Sequence, residues 1–331
     1  MAPRSLAGAC LAIFALFPIS CLAFQAAAPV SASIAPRFRL EPDIGAVRVP
    51  DARLRVDSSL VLIPVQVTTN SGTSITNLKK EDFHIFEEGQ EQAITSFSKD
   101  DAPLSVGLLF DTSGSMANKI RKAADAAATF FKTANREDEF FLIEFNDKPK
   151  LVLPFTSDSD LVYSHIARTR PFGRTSLLDA IHLGLVQMKK AQNLRKVLVI
   201  LSDGGDNRSR FSRSEIKNAM LESDVQLYAM GVFDLEDLHK HPAEEQNGPQ
   251  LLDELADQSG GRLYTVDNVI NLESISERIS RELRNQYLLG YSPSDDVRDG
   301  KFRRVKVKLD APSNLQNLRT YYRHGYYAPA Q

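Results

Sequence analysis

The chain has 331 residues, 43% of them hydrophobic and 25% charged, a balance that suits two ordinary folded domains and excludes disorder as the default. Its net charge of -2 at pH 7 lacks the basic excess that a nucleic-acid partner calls for. Both cysteines, Cys10 and Cys21, lie close to the amino terminus, so the body of the chain has no disulfide to draw on.

Residues 1–28 have the layout of a secretory signal peptide: Arg4, an apolar core from Leu6 to Phe17, then small residues with cleavage after Ala23 or Ala28. Pro18 breaks the apolar run, which falls short of the roughly 20 residues that span a bilayer. The expected destination is the cell envelope, secreted or periplasmic, with membrane association only if Cys21 is lipidated. Residues 29–53, rich in small residues and proline without periodicity, read as a flexible linker.

Residues 54–102 are expected to form the first part of a β domain. In SLVLIPVQVTT, Val61, Ile63, Val65 and Val67 alternate as in a half-buried strand, and Pro64 places that strand at an edge or a bulge. Asn70 to Thr73 is turn chemistry, and FHIFEEGQEQAITSF gives two short strands joined through Glu88 and Gly89. From 103 to 286 the style changes to alternating strands and helices. LSVGLLFD and VLVILSD are continuous apolar runs, and Ile120, Ala124, Ala127 and Phe131 recur at helical spacing in a helix that opens near Met116. Leu177, Ile181, Gly184 and Met188 share a second helical face, and Ser212 with Glu215 makes a capping box. Such alternation predicts an α/β fold with a doubly wound, mainly parallel sheet covered on both faces.

From 287 to 328 the pattern reverts to strands, read as YLLGYSP, FRRVKVKL and LRTYYRHGYY. Arg304, Lys306 and Lys308 alternate with Val305, Val307 and Leu309, which is the pattern of a solvated strand face rather than a nucleic-acid patch. Neither β segment is comfortable alone. The expectation is one small, discontinuous β-sandwich domain into which the α/β domain is inserted.

Three polar turns carry the chemistry. One supplies Asp111, Ser113 and Ser115 after an apolar strand; a second places Thr175 before a helix; a third ends a strand with Asp203. In open α/β sheets ligands bind beyond the carboxyl ends of the strands, and these residues offer only hard oxygen ligands. Two carboxylates brought together repel unless a cation sits between them. Mg²⁺ suits the set, with Mn²⁺ or Ca²⁺ as alternatives, and water completes its coordination until a partner's carboxylate replaces it. Gly114, Gly204 and Gly205 are expected to ease the backbone around the ion.

These residues resemble the metal-ion-dependent adhesion site (MIDAS) of von Willebrand factor type A domains. The likeness rests on Asp-x-Ser-x-Ser after a buried strand, a threonine before a later helix, and Ser-Asp-Gly-Gly after another strand, in order from about Pro103 to Asn285. The resemblance implies that Asp111, Ser113, Ser115, Thr175 and Asp203 are the metal set. It further implies an adhesion or binding module rather than an enzyme, whose partner is a protein or surface ligand presenting a carboxylate. Arg174 departs from the usual Gly-Gly-Thr and adds a cation beside Thr175. The flanking segments KKEDFHIFEEG, YLLGYSP, DGKFRRVKVK and GYYAP resemble a group of exported bacterial proteins related to that domain and common in acidobacteria.

Rival readings have less behind them. A phosphoryl-transfer nucleophile at Asp111 wants a second acid where Ser113 stands, and the chain has no Gly-x-Ser-x-Gly, phosphate-binding loop or His-Glu-x-x-His. His239 and His241 lack a third metal ligand. A structural envelope protein with vestigial caps at these turns is the first alternative, and a metal-dependent hydrolase the second. The long connection from Asp234 to Gln250 follows a strand, so its tip is expected to stand on the metal edge; it reads first as a tolerated surface insertion and second as a segment that shapes partner choice.

Overall fold

The computed structural model describes residues 60–99, 101–232, 248–266, 269–295, 297–310, 312, 315 and 317–330. The signal peptide, the linker, His239, His241 and all but the last three residues of the 234–250 connection lie outside them. The chain enters through β1 (Val61–Thr68), β2 (Phe83–Glu87), β3 (Gln90–Gln92) and β4 (Ile94–Ser98). Only Glu88 and Gly89 join β2 to β3, with φ of 47° and 88°, the pair of left-handed residues that a tight hairpin matching strand twist requires.

The α/β part follows. Its strands are β5 (Leu104–Asp111), β6 (Glu139–Phe145), β7 (Pro149–Thr156), β8 (Arg195–Ser202), β9 (Val225–Gly231) and β10 (Arg262–Thr265). They lie in the order β10-β9-β8-β5-β6-β7, parallel except for β7 at one edge. The helices are α1 (Ile120–Phe131), α2 (Ser159–Ile166), α3 (Leu177–Met188), α4 (Arg213–Glu222), α5 (Gly248–Ser259) and α6 (Leu272–Arg284). Every residue of β5 is buried because the sheet is covered twice. Leu104, Val106, Leu108 and Phe110 face α1 and α6, while Leu109 faces the opposite core with α3, α4 and α5. Gly107 is required between them, since a Cβ there would stand 2.1 Å from the Phe141 ring. The helix expected near Met116 begins at Ile120, preceded by a 3-10 turn at Gly114–Met116.

The chain then returns through β11 (Tyr287–Tyr291), β12 (Phe302–Leu309), β13 (Arg319–Tyr322) and β14 (Gly325–Tyr327). Two antiparallel four-stranded sheets result, β13-β1-β11-β4 and β14-β12-β2-β3, each mixing strands from before Leu104 and after Gln286. Ile63, Val65, Phe83, Ile85, Leu289 and Val307 share one apolar core between them. Within it the buried Glu87 accepts from Tyr291 Oη at 2.6 Å and Tyr326 Oη at 2.9 Å, so the carboxylate is satisfied from both sheets.

Three expectations about this part need correction. FHIFEEGQEQAITSF gives three strands rather than two, because the chain crosses from the second sheet to the first between β3 and β4. LRTYYRHGYY is not one strand. The chain leaves the first sheet after Tyr322 and joins the second at Gly325, held at the crossing by His324 N–H on the Gln258 carbonyl. Nor is β1 an edge strand: β11 pairs with Val61–Val65 and β13 with Val65–Thr68. Pro64 sits in the half with a neighbour on one side only, where its missing N–H leaves the other side unaffected. The cations of β12, by contrast, are exposed while Val305 and Val307 are buried, as the alternation requires.

At the junction, Arg195 donates to the Ala102 carbonyl at 3.3 Å and to Gln286 Oε1 at 2.8 Å, so the segments entering and leaving the α/β part lie side by side. Arg284 pairs with Asp101 and the buried Asp138 at the same place.

Candidate metal centre

The register of β5 on β8 sets Phe110 beside Leu201, which brings Asp111 level with Ser202 at the carboxyl ends of two neighbouring parallel strands. Asp111 is fully buried. Its Oδ1 accepts from Ser113 N–H at 2.9 Å and its Oδ2 from Ser202 Oγ at 2.5 Å. Ser202 Oγ in turn accepts from Gly204 N–H at 3.0 Å, so one hydroxyl binds the turn after β8 to the end of β5. The Ser113 and Ser115 hydroxyls are 3.0 Å apart, Ser113 buried and Ser115 exposed.

The second turn is tied to the first through Gly114 N–H on the Gly173 carbonyl at 3.0 Å and Phe172 N–H on the Thr112 carbonyl at 2.9 Å. Gly173 has φ of 79°, and Asp147 accepts from Arg174 N–H at 2.9 Å. The Arg174 side chain is exposed. Thr175 is buried and is clamped to the third turn twice: its N–H donates to Asn207 Oδ1 at 3.1 Å, and Asn207 N–H donates to its carbonyl at 3.1 Å. Asp179, in the first turn of α3, accepts from Arg210 N–H at 2.8 Å and Phe211 N–H at 3.1 Å and fixes the far end of that turn. Of the three glycines expected to ease the bends, only Gly204 has a positive φ, at 81°.

Electrostatics bear on what this arrangement can hold. Burial, and then the charge of Asp203, push the Asp111 carboxyl up to about 7, against the opposing hydrogen bonds from Ser202 and Ser113. A carboxylate is thus kept where its ionised form is disfavoured. Burial also raises Asp206, which directly follows the two glycines. Among the described residues no three His, Cys, Asp or Glu side chains gather as a metal site, so two carboxylates need hydroxyl partners. The donor set that the three turns offer is oxygen alone, as a hard divalent cation prefers.

Sequence reasoning singled out the side chains that follow strands but missed those that hold them. Ser202 was in plain view beside Asp203. Lys119 was not: its ammonium lies 3.6 Å from Asp203 Oδ2 and donates to the Val232 carbonyl at 3.0 Å, contacts 84 and 113 positions away along the chain. Asn207, Asp147 and Asp179 work the same way across turns.

Residues 106–205, from β5 through the turn after β8, match a family model described as the von Willebrand factor type A domain. A stretch of 166 residues is 20% identical to an uncharacterized protein of Borreliella burgdorferi, covering 46% of this chain and 49% of that protein. Another of 156 residues is 24% identical to inter-alpha-trypsin inhibitor heavy chain H2 of Sus scrofa, covering 42% of this chain and 17% of that one. The match therefore spans about half of the first relative and far less of the second. Among solved structures, proximal thread matrix protein 1 from the mussel byssus, with a zinc-occupied MIDAS motif, gives a TM-score of 0.49 at 17% identity over 60% of this chain and 50% of that one. The vWF domain of the type V pili tip protein Mfa5 from Porphyromonas gingivalis gives 0.45 at 13%, over 55% and 95%. BatB from Bacteroides thetaiotaomicron gives 0.42 at 20%, over 54% and 98%.

Proposed function

We propose that the chain, whose residues 106–205 form a von Willebrand factor type A domain, is an exported binding module in which Asp111, Ser113, Ser115, Thr175 and Asp203 hold a divalent metal that captures an acidic group of a partner protein or surface ligand. The observation that carries this reading is the burial of Asp111 within the field of Asp203, beside two hydroxyls 3.0 Å apart. A bound Mg²⁺, or Mn²⁺ or Ca²⁺ in its place, supplies two positive charges and a ligand position open to a carboxylate. The protein's part is to hold the donors still. Ser202 and Ser113 N–H orient the Asp111 carboxylate, Asn207 positions Thr175, and Gly204 lets the turn after β8 close over Ser202.

Binding rather than catalysis fits the hydroxyls. Ser113 and Ser115 hydrogen-bond to each other and, among the described residues, to no histidine that could serve as a base. We take residues 103–286 as a domain inserted into a β domain of 54–102 and 287–328, and the cell envelope as its setting. Among the described residues no helix is long and apolar enough to cross a membrane.

Thermal denaturation in EDTA and in excess Mg²⁺ tests the reading. At 100 times its dissociation constant, a metal that binds only the folded state adds about 2.7 kcal/mol, a rise in midpoint that Asp111→Ala or Asp203→Ala abolishes. Identical midpoints with and without metal, in wild type and in both variants, would make the three turns structural caps.

A further inference from the structure

One charge at the site has no role in the metal set. Lys119 stands just before α1, its backbone fixed by N–H on the Met116 carbonyl at 2.8 Å. Its ammonium is held at two points, Asp203 Oδ2 at 3.6 Å and the Val232 carbonyl at 3.0 Å. The side chains of Lys119 and Asp203 are only 22% and 11% exposed, so water screens the pair far less than it screens a surface ion pair. Arg174, the cation that the sequence points to, is instead exposed and tied in through its backbone.

We propose that Lys119 is a built-in counter-cation of the site, which neutralises Asp203 in the metal-free protein, weakens the hold on the metal, and leaves the loaded site with a surplus positive charge that favours an anionic ligand. The proposal rests on the metal reading above and assigns the regulation of that same site. Two ionised aspartates and one divalent ion sum to zero; Lys119 makes the sum positive. An incoming carboxylate then meets attraction from the ammonium as well as from the metal, while the metal shares Asp203 with a competitor already in place. A lysine suits this task because its charge is compact and its stem bends.

The test compares Lys119→Met, which keeps the stem and removes the charge, with Lys119→Arg, which keeps the charge. Calorimetric titration with Mg²⁺ is expected to show Lys119→Met binding about tenfold more tightly than wild type, and Lys119→Arg within about twofold. Acetate, added as a probe to the Mg²⁺-loaded protein, is expected to bind Lys119→Met severalfold more weakly. In EDTA, Lys119→Met is expected to lower the melting midpoint, and Asp203→Asn in the same chain to remove that loss. Unchanged or weaker Mg²⁺ binding by Lys119→Met overturns the proposal. So does a midpoint loss that persists in the Asp203→Asn background, because Lys119 would then serve only the Val232 carbonyl. If no form of the chain binds metal, the metal reading fails with the affinity half of the proposal, and the EDTA cycle alone decides whether Lys119 and Asp203 act as a pair.

Discussion

Asp111 is the residue on which burial and charge conflict most openly. Its carboxyl, raised to about 7 first by burial and then by Asp203, keeps a proton in the folded metal-free protein that the unfolded chain releases near pH 4. The folded state therefore binds more protons between about pH 4 and 7, and this group's contribution to stability falls as pH rises through that window. In EDTA, wild type is expected to lose stability relative to Asp111→Asn across the window and to run parallel with it above pH 7; parallel curves throughout would show that Asp111 ionises freely. The five proposed ligands were legible because oxygen-bearing residues after apolar runs are conspicuous in sequence. The contacts that aim them were not: Ser202 stands in view beside Asp203, but it meets Asp111 across 91 positions, and Asn207 meets Thr175 across 32.

At the scale of elements, the strands of the central sheet could be read directly, since β5 is buried along its whole length and Val197–Leu201 of β8 is an uninterrupted apolar run. The tail could not. Between Arg319 and Tyr327 only Gly325 interrupts the strand pattern, and it does not tell that the chain changes sheets; the crossing is held by a tertiary bond, His324 N–H to the carbonyl of Gln258 in α5. The same helix reaches the site at its other end. A Cβ on Gly248, the first residue of α5, would stand 1.7 Å from the Gly204 carbonyl, in the turn that carries Asp203. Backbone cannot yield there as a flexible side chain would. Gly248→Ala is expected to cost about 1–3 kcal/mol and to weaken Mg²⁺ binding by displacing that turn. An unaltered melting curve with unaltered affinity would mean that α5 does not set the position of Asp203.

For the molecule as a whole, the two β sheets can be completed only by both ends of the described chain. β11 lies between β1 and β4, and β12 between β2 and β14. A chain ending at Gln286 strips β1 and β4 of their common neighbour and uncovers Ile63 and Val65. Exposed apolar strand edges template aggregation, so this truncation is expected to aggregate or to bind a hydrophobic dye at temperatures where the full chain does not. A soluble truncated monomer with the full chain's midpoint would show that the returning strands are dispensable. The alternation of strand and helix announced the α/β part, whereas the pairing of strands on either side of it is a long-range matter that short periodicities do not encode. Crystals of the full chain soaked in Mn²⁺ and measured at the manganese edge test the central claim most directly. The account predicts one anomalous peak among Asp111, Ser113, Ser115, Thr175 and Asp203, lost in crystals of Asp111→Ala. A peak elsewhere, or none with Lys119 still resting on Asp203, would contradict it.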